Sequence, residues 1–148
     1  MIIDLATVHD IPMLSNLLAA LFAQEAEFTP NPEANQRGLA RIINNPGIGA
    51  ILVARKDHQI IGMVNLLFTI STALGEPVAL LEDMVVFPEA RGQGIGSQLL
   101  AAAIAYARQQ GCQRITLLTD HDNLAAQTFY AKEGFALSTM VPMRLSLA

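Results

Sequence analysis

Three glycines in five residues, directly after an arginine, form the stretch of this chain best suited to chemistry: Arg91-Gly92-Gln93-Gly94-Ile95-Gly96-Ser97. Before it stands Leu80-Leu81-Glu82-Asp83-Met84-Val85-Val86-Phe87, branched and apolar enough for a strand and closed by Pro88. After it, Ile95, Leu99, Ala102 and Tyr106 recur at the spacing of one helix face, running to about Gln110 and stopped by Gly111. Glycines where a strand gives way to a helix remove the Cβ atoms that would keep an anion off the backbone. The helix start adds unpaired N–H groups and the positive end of its dipole. Arg91 adds a permanent charge with several donors. This is the chemistry of a diphosphate-binding turn.

Spacing narrows the ligand. The dinucleotide frame G-x-G-x-x-G fails, because Ser97 or Leu99 stands where its last glycine belongs, and no Gly-Lys-Ser/Thr completes a P-loop. A nucleotide-binding module is therefore disfavoured. The frame that fits is Arg-x-x-Gly-x-Gly, filled by Arg91, Gly94 and Gly96. With Glu82 to Arg91 before it and Asn123 to Phe135 (Asn…Phe-Tyr…Gly-Phe) after it, the chain resembles the GCN5-related N-acetyltransferases, or GNAT family. The likeness is strong from Glu82 to Phe135 and weak before it.

The resemblance implies an acyl-CoA N-acyltransferase fold, an α/β mixed sheet splayed at its centre, in the order β-α-α-β-β-β-α-β-α-β-β. It implies acetyl-CoA as co-substrate. Its pyrophosphate would lie on the backbone of Gly92, Gln93, Gly94, Ile95, Gly96 and Ser97 beside Arg91, and its pantetheine arm along Met84, Val85 and Val86, with Asn123 and Ala126 also at the cofactor. Transfer to an amine needs a base, since a free alkylamine is protonated near pH 7, and an acid for the departing thiolate. Glu82 sits in an apolar strand where partial burial would raise its pKa, and related enzymes often place a glutamate there; it is the expected base. Asp83 is the rival, facing the other way in a regular strand but not if the strand bulges. Tyr130 is expected to serve the sulfur, as acid or orienting group. Asn123 also reads as a helix N-cap, which is compatible with a cofactor role.

The acceptor wall falls in the N-terminal part. Glu25, Glu27 and Glu33 flank Phe28 and two prolines, and residues 1 to 36 contain no Lys or Arg. Glu25, Phe28, Glu82 and Asp83 are the expected acceptor-binding residues, suited to a small cationic amine such as a polyamine or amino sugar. Two other readings compete: acetylation of protein amino groups, and a non-catalytic acyl-CoA sensor. The presence of both Glu82 and Tyr130 favours an enzyme.

Composition fits a compact, single domain over residues 1–148: 52% of residues are apolar and 15% charged. No apolar run approaches the ~20 residues of a membrane span, and no basic segment of a signal peptide leads the chain. The net charge of -4, without a basic patch, speaks against nucleic acid. Cys112 is the single cysteine, consistent with the cytoplasm and with no catalytic thiol. Asp120-His121-Asp122 lacks a second ligand cluster, so no metal is expected. His9 and His58 fall in turns. A homodimer is an assembly open to such a domain.

The elements that must position these groups alternate. Met1 to Ala6 reads as a strand. A helix capped by Thr7 or Asp10 follows, with Pro12 in its first turn and Met13, Leu17, Leu18 and Leu21 buried. Residues 28–32 read as a loop and Glu33 to Ile43 as a second helix. A hairpin joins Ala50–Arg55 and Ile60–Ser71 around Lys56-Asp57-His58-Gln59, and Val78–Phe87 is the third antiparallel strand. Beyond the long helix come a buried strand at Arg114–Thr119, a helix at Leu124–Lys132 and two C-terminal strands.

Overall fold

A computed structural model describes residues 1–24, 29 and 31–148, which leaves Glu25, Glu27 and Phe28 of the expected acceptor wall outside the described residues. The chain divides into two compact units, Met1–Leu118 and Thr119–Ala148, where the sequence reading expects one domain.

In the first unit β1 (Ile2–Leu5), β2 (Gly49–Lys56), β3 (Gln59–Ser71), β4 (Glu76–Val86) and β5 (Ile115–Leu117) form one sheet in that order. The first four are antiparallel, and β5 joins β4 in parallel. The β2–β3 connection is the two-residue turn Asp57-His58, with φ of 52° and 64°. Positive φ at both central positions is the type I′ twist that matches a hairpin, and Asp tolerates it.

Helices α1 (Ile11–Phe22) and α2 (Pro32–Ile43) cover one face of the sheet. Leu14, Leu17 and Leu18 of α1 and Leu39 of α2 pack with Ile51, Val53, Ile60, Met63 and Val85. The buried stripe of α1 includes Leu14 and Ser15; Met13, expected inside, is 37% exposed. A three-residue turn, Val8–Asp10, precedes the helix, and Leu17, Leu18 and Leu21 face the core as expected while Leu14 takes the inner position in place of Met13. On the other face lies α3 (Ile95–Gln109), burying Ile95, Leu99, Leu100, Ala103 and Ala107. Tyr106, half-buried, stacks on Phe68 with centroids 6.4 Å apart. Gly62 on β3 gives α3 its close approach: a Cβ there would stand 2.8 Å from the Leu99 side chain.

The start of α1 is tied to the sheet through Arg55 of β2. Its Nε donates to Asp4 at 2.8 Å, and its Nη1 and Nη2 donate to the two Asp10 oxygens at 2.9 and 2.6 Å. The bidentate pair with Arg55 holds the Asp10 carboxyl below the usual carboxylate range and pushes the guanidinium upward in turn. Two of the N-terminal acids are thus neutralised internally.

The second unit holds α4 (Leu124–Ala131). The two strands expected after it are not formed. Residues 136–148 carry no helix or strand, and Leu137, Met140, Val141, Met143, Leu145 and Leu147 are exposed. Alternation of apolar residues gives a segment the pattern of a strand, but a strand exists only where another backbone takes its N–H and C=O groups. Pro142 also removes one donor from the middle of the run. No described helix is long and apolar enough to cross a membrane.

Candidate active site

The site is built around an irregularity between β3 and β4. From Gly62↔Val86 to Asn65↔Asp83 the two strands pair in one register, and from Leu66↔Leu81 they continue in a register shifted by one. Glu82 is the additional residue, and the pair forms a β-bulge there. The consequence for the side chains is direct. Met63 and Val85 lie in the core under α1 and α2, so alternation puts Asn65 and Asp83 on that same face. Leu81, only two residues before Asp83, pairs with Leu66 instead.

Asp83 therefore points towards the α1–α2 layer, and Glu82 is exposed. The burial expected at Glu82 falls on its neighbour. Desolvation pushes the Asp83 carboxyl up to about 6, opposed by a hydrogen bond from Asn65 and assisted by the nearby Glu82 charge. A base poised near neutrality is what deprotonation of an amine requires. The Nδ2 of Asn65 donates to Asp83 at 3.1 Å, while its Oδ1, buried, has no hydrogen-bond partner among the described residues. Asn65 escaped the sequence reading. Its signal was a lone amide inside the apolar run Ile60 to Ile70.

The same bulge marks where β4 leaves β5. Parallel pairing covers Ala79, Leu80 and Leu81 and stops there, so Met84, Val85 and Val86 run on without β5 alongside. The Phe87 N–H bonds to Ile61 on β3, and strand alternation then turns the backbone groups of Met84 and Val86 to the opposite, open edge. A polar edge of this kind can pair with an extended amide-bearing chain.

Beyond β4 a single turn, Pro88–Ala90, carries the chain into the glycine run. Arg91 Nε donates to the Val86 carbonyl at 3.1 Å, which ties the strand end to the loop. Gly92 and Gly94 have φ of 80° and 76°, and Gly94 is the N-cap of α3. The first helical bond is Gln98 N–H to Gly94 O, so the N–H groups of Ile95, Gly96 and Ser97 precede the intrahelical ladder. Gln93 completes the turn. An anion fits this arrangement, because a left-handed backbone with successive N–H groups is a concave donor array. Gly94→Val would force a β-branched residue into the left-handed region, which only glycine occupies at no steric cost. Its expected result is acetyl-CoA affinity weakened at least tenfold, about 1.4 kcal/mol, in a folded protein. Titration calorimetry checks it, and unchanged affinity would remove the loop from the cofactor site.

In the second unit, Asn123 caps α4: its Oδ1 accepts from the Ala126 N–H at 3.1 Å. Tyr130 is mostly buried among aromatic rings, edge-on to Phe129 at 5.1 Å and to Phe135 at 5.6 Å. Burial pushes its phenol above the usual range, so it stays protonated and remains a donor at neutral pH. Cys112, half-buried just after α3, has its thiol raised by desolvation, which disfavours the reactive thiolate.

The acetyltransferase (GNAT) family model matches residues 12–135, a stretch that includes parts of both units. YhfO of Bacillus subtilis (strain 168), described as an uncharacterized N-acetyltransferase, is 34% identical over 126 residues, covering 82% of this chain and 83% of that protein. The aminoalkylphosphonate N-acetyltransferase of Salmonella typhimurium (strain LT2) is 31% identical over 133 residues, 90% of this chain and 83% of that one. Among solved structures, a probable acetyltransferase superposes with a TM-score of 0.85 at 25% identity, over 100% of this chain and 99% of its own.

Proposed function

Since this chain belongs to the acetyltransferase (GNAT) family and is an acetyltransferase, we propose that it moves the acetyl group of acetyl-CoA directly to the primary amine of a small acceptor, with Asp83 as the base. The observation that carries this reading is the Asp83 carboxyl, half-buried on the α1–α2 face and pushed up to about 6, beside the point where β4 parts from β5. The resemblance pointed first to Glu82; its exposure favours Asp83, with Glu82 a neighbouring charge that keeps the Asp83 proton affinity up.

In this mechanism the acceptor ammonium gives a proton to the Asp83 carboxylate, and its N–H electron pair stays on nitrogen. That pair attacks the thioester carbonyl, the C–S bond breaks, and the thiolate takes a proton from the Tyr130 phenol. Arg91 to Ser97 would hold the pyrophosphate, the open backbone edge of the Met84–Val86 stretch would pair with the pantetheine amides, and Asn123 and Ala126 are the residues of the second unit that the family resemblance assigns to that arm. A thiol-release assay with acetyl-CoA tests the reading, run against spermidine, an aminoglycoside, 2-aminoethylphosphonate and a peptide amine. Turnover with none of them would favour a sensor.

The acceptor we propose is cationic. Asp4 and Asp10 are occupied by Arg55, which leaves Glu25, Glu27 and Glu33 as the N-terminal acids for an acceptor. Glu33, with Thr29, Asn31 and Pro32, lines an open concavity of about 490 Å³. A surface carboxylate contributes ~0.5–1 kcal/mol to holding a cation, so neutralising Glu25, Glu27 or Glu33 should raise acceptor KM roughly two- to fivefold. Added salt should do the same. Flat KM values, or preference for the phosphonate-bearing amine that the Salmonella relative's name implies, would remove the electrostatic argument and leave the reaction class standing. A cytoplasmic location belongs to the same proposal, supported by the lone Cys112, and a homodimer is its proposed assembly, supported by the apolar side chains exposed between Leu137 and Leu147.

A further inference from the structure

We infer that Asn65 is a positioning residue for proton transfer, a single amide that serves Asp83 both as carboxylate and as carboxylic acid. This rests on the reading of Asp83 as the base. Asn65 is 4% exposed in the middle of β3, among Val64, Leu66 and other apolar neighbours, where a polar side chain stays only if it is used. Among the described residues its side chain bonds to Asp83, from Nδ2 at 3.1 Å. An ionised carboxylate only accepts, so the Nδ2–H is the correct partner before transfer.

After transfer the requirement reverses. When an ammonium N–H bond breaks and an O–H bond forms on Asp83, one of its oxygens becomes a donor. The Asn65 Oδ1, buried and without a partner among the described residues, is the acceptor that such a donor needs. Half a turn about the Cβ–Cγ bond exchanges the two ends of the amide. Leucine can serve neither state. A hydroxyl, which both donates and accepts, can serve each in turn.

The electrostatic surroundings are simple enough to make the effect readable. The elements packed on β4 are β3, β5, α1 and α3. The first three carry no ionisable side chain, and α3 carries only Tyr106 and Arg108, on the other face of the sheet. Among the described residues, Glu82 is the ionisable neighbour that acts on Asp83.

The test is titration of the Asp83 carboxyl carbon by NMR in the full-length protein, wild type against Asn65→Leu and Asn65→Thr, with no ligand added. Loss of the Asn65 amide should move the Asp83 midpoint upward by about one unit in Asn65→Leu, because its charge-assisted bond to the carboxylate is stronger than the neutral bond it offers the acid, and Asn65→Thr should restore it. A midpoint unmoved in folded Asn65→Leu overturns the inference; Asn65→Ala supplies the same readout in place of an unfolded leucine variant. The activity arm uses acetyl-CoA and spermidine. The acid limb of kcat/KM should follow the NMR midpoint, with kcat reduced and acceptor KM little changed. If Asp83→Asn keeps full turnover, the base assignment fails while the titration result stands. If Asp83→Asn is inactive and the Asn65 variants do not shift the limb, the base stands and the positioning role falls.

Discussion

Replacing Asp83 by asparagine should cut turnover by roughly 10²-fold or more and, at pH 8, should make the protein more stable. Both effects come from one carboxyl. In the folded chain its pKa is about 6 against an ordinary 3.8, so the native state holds the proton more tightly than the unfolded chain does. Its stabilising contribution is therefore complete below pH ~4 and is lost as pH rises through about 6, beyond which the buried charge costs roughly 2 to 3 kcal/mol. Asparagine keeps the shape and removes the charge. The melting temperature of Asp83→Asn should exceed that of the wild type by several degrees at pH 8, with the gap closing near pH 4. Acetyl-CoA affinity should change little. Thermal melts across pH together with initial rates check the pair of effects. If instead Glu82→Gln is the inactive variant and Asp83→Asn turns over normally, the exposed carboxylate is the base and the buried one is structural. A protein that gains stability on losing this group would show what holding a base in an apolar layer costs.

Tyr130→Phe is expected to lower turnover by a similar factor, about 10²-fold, with little loss of stability. The ring makes the contacts: edge-to-face packing on Phe129 and Phe135 survives in phenylalanine. Only the O–H goes, and with it the proton for the leaving thiolate. Burial raises the phenol above its ordinary range, so wild-type activity should hold well into alkaline pH before Tyr130 ionises, and the variant should lack that alkaline decline. Stopped-flow thiol release against pH separates this from a packing role. A variant with unchanged kcat and an unchanged alkaline limb would reduce Tyr130 to a core residue.

What could be read in the sequence was what local rules determine. Gly111 ends α3 with φ of 83°, its N–H on Arg108 O and that of Cys112 on Ala107 O, the bonding that glycine after a helix signals. Asp57-His58 was placed at the centre of the hairpin, and the glycine run was placed between β4 and α3. On α1, Leu17, Leu18 and Leu21 lie on the core side as the spacing predicts, and Met13 does not, because Leu14 takes the inner position of the first turn. The two C-terminal strands rest on the family resemblance, and no local pattern in the chain supplies the partner a strand needs. The bulge was harder still. An additional residue in β4 is defined only against β3, some eighteen positions earlier in the chain, and no local pattern announces it. So the sequence reading named two carboxylates but could not say which one turned inward, and it passed over Asn65, whose meaning comes entirely from the residue opposite.

The bulge also bears on how residue roles are carried between relatives. Counted back from the glycine loop, Asp83 is the eighth residue before Arg91; matched across the ladder to β3, it is the partner of Asn65. These two rulers agree only while both proteins have the same number of residues in β4. A relative with its additional residue one step away would align without a gap and place a carboxylate beside Asp83 or Glu82 on identity alone. Its side chain would nonetheless face the opposite layer. The place of the additional residue in the strand, more than the letter found in the column, decides which acid is comparable.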